Sequence, residues 1–227
     1  MIARTDPPSF LLHWSDDEET LFYGDDFSLT MESFRGLADH FLSKAEELCA
    51  DLLFDLDVVV DLTKVKDDMT NVQNGFSFVQ HPSNRLAHVY LDLSAKACTA
   101  RRNGLFRNGQ WDWKAIFSYR RKAEALEEMM LGGLHTACGQ VPRAPELLGL
   151  ECENGSSTER GLYVWNGFMV YLTRHHKAKR STNREFVVVR FMPVRLGHIV
   201  YKYAVWIRRF LDMLDRERSR ESVVATS

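Results

Sequence analysis

Arg143 stands three residues before Glu146-Leu147-Leu148, and farther along His175-His176-Lys177 occupies a polar stretch between two apolar runs. A planar guanidinium grips phosphate oxygens in a fork, and a lysine on a turn can reach a leaving oxygen and lend it a proton. Residues of these types, brought together, could handle a phosphodiester. Glu146, three residues after Arg143, falls on the same helical face. Arg174, His176, Lys179, Arg180 and Arg190 lie around Lys177 in sequence and could contact phosphates without doing chemistry. Each has a plainer reading. An Arg-x-x-Glu pair is commonly a surface salt bridge, and a hairpin lysine is commonly just solvated.

The elements that must position these residues form a patterned series. Residues 1–27 carry Pro7-Pro8, Asp16-Asp17-Glu18-Glu19 and Asp25-Asp26 with no sustained period, and read as a loose acidic leader. From Met31 to about Phe54 apolar residues recur at three and four (Phe34, Leu37, Phe41, Leu42, Cys49, Leu52, Leu53), and Ser28 or Thr30 is placed to cap that helix. Asp57 to Asp61 could be a short strand, and Lys66 to Gly75 reads as a polar loop. Pro82 predicts a helix start running to about Ala100. Asn103-Gly104 and Asn108-Gly109 are turn dipeptides and mark the expected domain boundary. A long helix is predicted from about Asp112 to Leu134 with Trp113, Ile116, Phe117, Leu126, Met130 and Leu134 inward; Gly132-Gly133 weakens its end. A short helix follows from about Arg143 to Leu150.

The pattern then changes to β. Leu162 to Trp165 and Phe168 to Thr173 flank Asn166-Gly167, a hairpin signal because both turn residues need positive φ. Glu185 to Phe191 supplies a third strand, and a last helix is predicted from about Val194 to Arg216.

Composition bounds the partner. The chain has 227 residues, 45% of them apolar, enough for one large domain or two small ones. Its net charge of −2 conceals a division: residues 1–70 hold 17 acidic and 5 basic side chains, residues 71–227 hold 14 and 24. Within 160–220, 14 basic residues face 4 acidic ones. This points to an anionic partner for the second part, although two regions attracting each other across a fold would read the same way. Cys49, Cys98, Cys138 and Cys152 show no close pairing, and no signal-like stretch begins the chain, so they read as reduced intracellular thiols. His135, Cys138, Cys152 and His175 fit no common zinc spacing, and no metal or cofactor is expected. A metal-dependent hydrolase using the carboxylates of Asp55 to Asp68 would need spaced ligand pairs that this solvated stretch does not show. No apolar run approaches the roughly 18 residues of a membrane span, so no membrane partner is expected.

The stretch from Gly139 to Leu150, with Arg143 before Glu146-Leu147-Leu148, resembles the first-arginine motif of tyrosine recombinases, and Lys177 resembles the lysine on their following sheet. The resemblance implies that Arg143 is one of two arginines clamping a scissile phosphate, that Glu146 holds that arginine or its helix, and that Lys177, or its neighbour Lys179, is the general acid. It departs from the family's pattern farther on. None of the eight histidines begins a His-x-x-Arg, the nearest approach being His176-x-x-Lys179, and Tyr201 and Tyr203 are the only tyrosines after Lys177. Across about residues 70–214, Gly161 to Gly167, Thr173 to Lys177 and Val189 to Pro193 also resemble a region upstream of the motor in fungal telomere-linked RecQ-type helicases. That implies DNA and a nucleus, usually within a longer protein; this chain has no phosphate-binding Gly-x-x-x-x-Gly-Lys motif.

The expected architecture is α+β, mainly helical with a three-stranded antiparallel meander, like the front portion of a tyrosine recombinase. Its parts would be an acidic flexible leader (1–27), a helical core-binding-like part (28–105), an incomplete catalytic-like part (110–216) and a polar tail (217–227). The expected function is duplex DNA binding without catalysis, in the nucleus, with a longer helicase-bearing homologue as a further partner. Arg143, Arg174, His176, Lys177, Lys179, Arg180 and Arg190 are the contact candidates. The alternative is a non-enzymatic interaction or structural module whose acidic N-terminal part docks on the basic sheet.

Overall fold

The computed structural model describes residues 11–24, 26–100, 103–175 and 186–226. The chain is α+β. Three antiparallel strands, β1 (Leu12–Trp14), β2 (Thr20–Tyr23) and β3 (Phe27–Thr30), lead into helix α1 (Met31–Leu52). Of the leader expected over 1–27, the described part from residue 11 on is stranded and not loose. Its acidic run at 16–19 is the β1–β2 turn, where the Ser15 hydroxyl donates to Asp17 at 2.5 Å and the Thr20 amide donates to Ser15 Oγ at 2.9 Å. Thr30 caps α1 by accepting from the Ser33 amide at 3.1 Å.

Helix α2 (Tyr90–Thr99) is shorter than predicted, because Pro82 opens only a 3-10 turn (Pro82–Asn84) that ends at Arg85 in the left-handed region, φ 54°. The residues 57–61 form no strand. Strands β4 (Phe106–Arg107) and β5 (Gln110–Trp111) pair around Asn108-Gly109, and Asp112 then caps α3 (Trp113–Ala137). Both turn residues have positive φ, 51° and 82°. Asn108-Gly109 thus makes a two-residue hairpin turn, and at Asn103-Gly104 only Asn103 has positive φ, 59°. Leu105 and Ile116 are buried in the same cluster as Leu52 and Phe210.

Helices α1 and α3 run antiparallel, with Phe41 beside Gly132 and the Tyr119 hydroxyl donating to the Leu52 carbonyl at 3.1 Å. Gly132-Gly133 is no frayed end. A Cβ at Gly132 would lie 2.4 Å from the Phe41 ring, and one at Gly133 3.2 Å from Leu196, so the pair lets two neighbours approach mid-helix. Helical spacing placed Phe34, Leu37 and Phe117 inward, yet all three are exposed; Tyr119 and Ala123 take the inward positions on α3.

After α4 (Ala144–Leu148), β6 (Leu162–Trp165), β7 (Phe168–His175) and β8 (Phe186–Phe191) form the expected meander in the order β6-β7-β8. Asn166 and Gly167 have φ of 48° and 81°, as a two-residue hairpin with matching twist requires. Leu162, Val164, Met169 and Tyr171 turn one face of this sheet into the core. The last helical run is α5 (Val194–Lys202), a π-helical turn (Tyr203–Ile207) whose five residues are all buried, and α6 (Arg208–Thr226). The polar tail from 217 is helical to Thr226, and Glu221 accepts from the Trp113 indole at 2.6 Å. Among the described residues no helix is long and apolar enough to cross a membrane.

Candidate nucleic-acid interface

Arg143 is exposed at the N-cap of α4. The Glu146 carboxylate accepts from the Arg143 backbone N–H at 3.3 Å, closing the first turn of this five-residue helix. Glu146 thus fixes the backbone from which Arg143 projects.

Arg190 has a different place from the one expected. It is buried on β8, donating from Nε to the Gln140 carbonyl at 2.8 Å and from Nη1 to Thr173 Oγ1 at 2.7 Å, with its guanidinium 5.7 Å from the Tyr171 ring centre. A phosphate could reach it only by displacing these partners. Its observed work is to fasten the segment before Arg143 to β7 and β8. Arg174, partly buried on β7, is ion-paired with Glu159 and reaches the Arg160 carbonyl at 3.4 Å, so one carboxylate already shares its charge. His176, Lys177, Lys179 and Arg180 lie outside the described residues; β7 and β8 are paired as far as His175 and Phe186, which flank them.

The centre that sequence reasoning missed is Arg160 with Asp67, both side chains fully buried. Arg160 donates from Nη1 to Asp67 Oδ2 at 3.2 Å, and from Nη2 to Oδ1 and to the Asp68 carbonyl, each at 2.8 Å. Asp67 Oδ2 also accepts from the Val164 amide at 2.9 Å. The guanidinium stacks 4.3 Å from the Tyr163 ring centre and 5.3 Å from that of Phe76. This pair clamps the 67–78 segment onto β6. Asp67 sits in a stretch that reads as a polar loop, and nothing in the local pattern links it to an arginine so far along the chain.

Other cations of the second part are also matched internally. Arg195 on α5 reaches both Glu46 and Asp39 of α1, at 2.8 and 3.2 Å, and Arg209 approaches Glu153 at 3.6 Å. Hydrogen bonding and attraction from Arg195 hold the Glu46 carboxyl below its ordinary range. Arg120 pairs with Asp215.

Tyr201 and Tyr203 are both buried. Tyr201 stacks on Phe78, ring centres 5.7 Å apart, and burial pushes its hydroxyl up to about 12. Tyr203 is raised too, by burial and by its hydrogen bond to Glu127. Neither is placed as an accessible nucleophile. The four cysteines are unbridged, and burial pushes Cys49 up to about 11 and Cys138 up to about 12, keeping them as unreactive thiols near neutral pH. In the acidic stretch, Asp61 is drawn down to about 2 by Lys64 and Thr63, and Asp68 bonds Thr70. Among the described residues no three His, Cys, Asp or Glu side chains gather as a metal-holding group.

No family model matches the chain, and no solved structure matches it.

Proposed function

We propose that the chain binds duplex DNA through phosphate contacts without cutting it, as a degenerate tyrosine recombinase-like domain. The observation that carries this reading is the Arg190 bridge. It ties the Gln140 carbonyl to Thr173, so the segment leading to exposed Arg143 lies against the part of β7 nearest the start of the 176–185 connection. That connection brings Lys177, Lys179, Arg180 and Arg184, and no acidic residue occurs from Arg160 to Arg184. Arg143, His176, Lys177, Lys179 and Arg180 are the proposed contacts, with Arg174 sharing its charge with Glu159. Arg190 acts as a positioning residue. The absence of cleavage rests on the missing His-x-x-Arg and on the burial of Tyr201 and Tyr203. The helicase resemblance adds a nuclear setting and a longer helicase-bearing homologue as partner.

The test is fluorescence anisotropy with a labelled duplex between about 50 and 200 mM salt. Affinity should fall steeply with salt, and replacing Lys177, Lys179 and Arg180 together by alanine should flatten that slope, each lost phosphate contact removing about 0.9 from it. No affinity at low salt, or a slope unchanged in the triple variant, would refute the reading. A nicked suicide duplex should trap no covalent adduct.

A second reading, a non-enzymatic structural or interaction module, is favoured by the pairing of Arg195 with Asp39 and Glu46. Acidic α1 there neutralises the start of α5.

A further inference from the structure

Beside α4, two cavities run together into one apolar groove. The first, of about 410 Å³, reaches from α3 to Leu162 on β6, Val200 on α5 and Tyr203. The second, of about 440 Å³, continues past Leu131 to Phe41 and His135. Glu128, Leu131, Leu147 and Leu148 line both, so the two adjoin. Leu147 is buried there, whereas Leu148 stands 73% exposed. An exposed leucine is ordinary when it stands alone. Beside a continuous apolar trough it adds to a surface that a partner can cover.

Helix α3 supplies the long side of the groove. Glu124, Glu128, Leu131 and His135 fall at i, i+4, i+7 and i+11, on one face of that helix, and all four line the groove. From Glu124 to Thr136 this side measures about 18 Å, a little over three helical turns. Its charged lining is mostly acidic. Glu124, Glu127 and Glu128 stand against Arg208 at one end, where Asp212 and Glu153 offset the guanidinium charge. Glu127 accepts from the Tyr203 hydroxyl. Glu124 and Glu128 are exposed and form no ion pair among the described residues.

We propose that this groove takes an amphipathic helix of a protein partner. The partner's apolar stripe lies in the trough, and its lysines or arginines meet Glu124 and Glu128. Helix-in-groove recognition uses anchors at i, i+3 or i+4 and i+7, and a side of three turns matches that spacing. Charge decides the occupant. Two unpaired carboxylates beside an apolar floor favour a basic helix and disfavour an acidic one. The same carboxylates repel phosphate, so this surface is separate from the DNA contacts proposed above, and either can fail without the other.

The probe is a labelled synthetic helix of about 18 residues, with leucines along one face and lysines elsewhere, titrated with the full chain by anisotropy. One control carries glutamates in place of the lysines, and a second scrambles the leucines and lysines so that no apolar stripe remains. The lysine helix should bind in the micromolar range, and both controls at least about tenfold more weakly. Leu148→Ser, an exposed change, should weaken the lysine helix about tenfold. Glu124→Lys combined with Glu128→Lys should reverse the choice, so that the glutamate helix binds better than the lysine helix. A folding defect would give no such reversal. No binding of the lysine helix up to about 200 μM, equal binding of the scrambled peptide, indifference to Leu148→Ser or an unreversed choice overturns the proposal. So does a groove that takes dodecylammonium but not the helix, whose ligand would then be a small amphiphile. Self-association of the wild-type chain that Leu148→Ser abolishes would make the occupant a second copy and overturn it too.

Discussion

Replacing Asp67 by alanine should destabilise the chain more than removing any exposed carboxylate. In the wild type, Asp67 meets the Arg160 guanidinium with both oxygens and also receives the Val164 amide, with both charged side chains at 0% exposure. The variant leaves a buried cation with the Asp68 carbonyl as its guanidinium's remaining hydrogen-bond acceptor, beside the Tyr163 and Phe76 rings, and deprives Val164 of its acceptor. Leaving one member of a buried ion pair alone costs about 3–5 kcal/mol, and the unpaired amide, about 1–3 kcal/mol by itself, overlaps with that. A loss of about 4 kcal/mol is a large share of a typical stability of about 5–15 kcal/mol. It should lower Tm by roughly 8–16 °C at this chain length. Urea unfolding followed by tryptophan fluorescence, with a thermal melt in parallel, measures it. The double variant Asp67→Leu with Arg160→Met removes both charges and should recover much of the loss, because apolar replacements carry no desolvation penalty. An Asp67→Ala loss under about 1 kcal/mol, or a double variant worse than the single one, would refute the assignment of this pair as a structural clamp.

Gly132→Ala should destabilise by about 1–2 kcal/mol although alanine favours the helix by about 1 kcal/mol, because the new methyl meets the Phe41 ring at 2.4–2.7 Å. In a Phe41→Ala background the same change should become neutral or stabilising, read by urea midpoints. Stability should also depend on pH through Glu46. Its folded carboxyl sits below the ordinary value of 4.5, so its contribution is present above that value and is lost as pH falls through the lower folded one. Arg195→Ala should remove this part of the acid-side loss, seen as a shallower decline in Tm between about pH 5 and pH 3.

Where one local rule governs an element, the sequence was readable. Asn166-Gly167 allows little but a hairpin, because both residues need positive φ, and of the two cap candidates, Ser28 and Thr30, the one directly before Met31 caps α1. The misreadings share a cause, that local signals were outweighed by surroundings invisible in sequence. Acidic clusters suggested a loose leader, while from residue 11 on the aromatic and aliphatic run of Leu21 to Tyr23 and the alternation in Phe27 to Thr30 were the better guide. Gly132-Gly133 looked like a weak helix end because nothing local announces Phe41 and Leu196 pressing against it. Arg160 and Asp67 lie in segments that become neighbours only when the loop folds onto β6, and spacing cannot reveal such a pair. For the candidate site, the order of Arg143, Glu146 and the meander was legible, whereas the inward turn of Arg190 depended on the Gln140 carbonyl.

Charge along a chain becomes charge on a surface only where cations are left without internal partners. Residues 160–220 hold 14 basic side chains, but Arg160, Arg174, Arg190, Arg195 and Arg209 are each engaged by carboxylates or carbonyls of the same chain. A cation already paired with a carboxylate condenses little counterion release onto an incoming phosphate, so its removal should leave the salt dependence of DNA binding nearly unchanged. The proposed contact is therefore narrower than the composition suggests. Arg195→Ala should weaken the packing of α5 on α1 yet keep the wild-type salt slope, whereas Arg143→Ala should leave stability within about 0.5 kcal/mol, as an exposed substitution does, and flatten the slope by about 0.9. Anisotropy titrations of the two variants decide it: if Arg195→Ala flattened the slope and Arg143→Ala did not, the DNA-binding surface would lie along α5 instead of beside the meander.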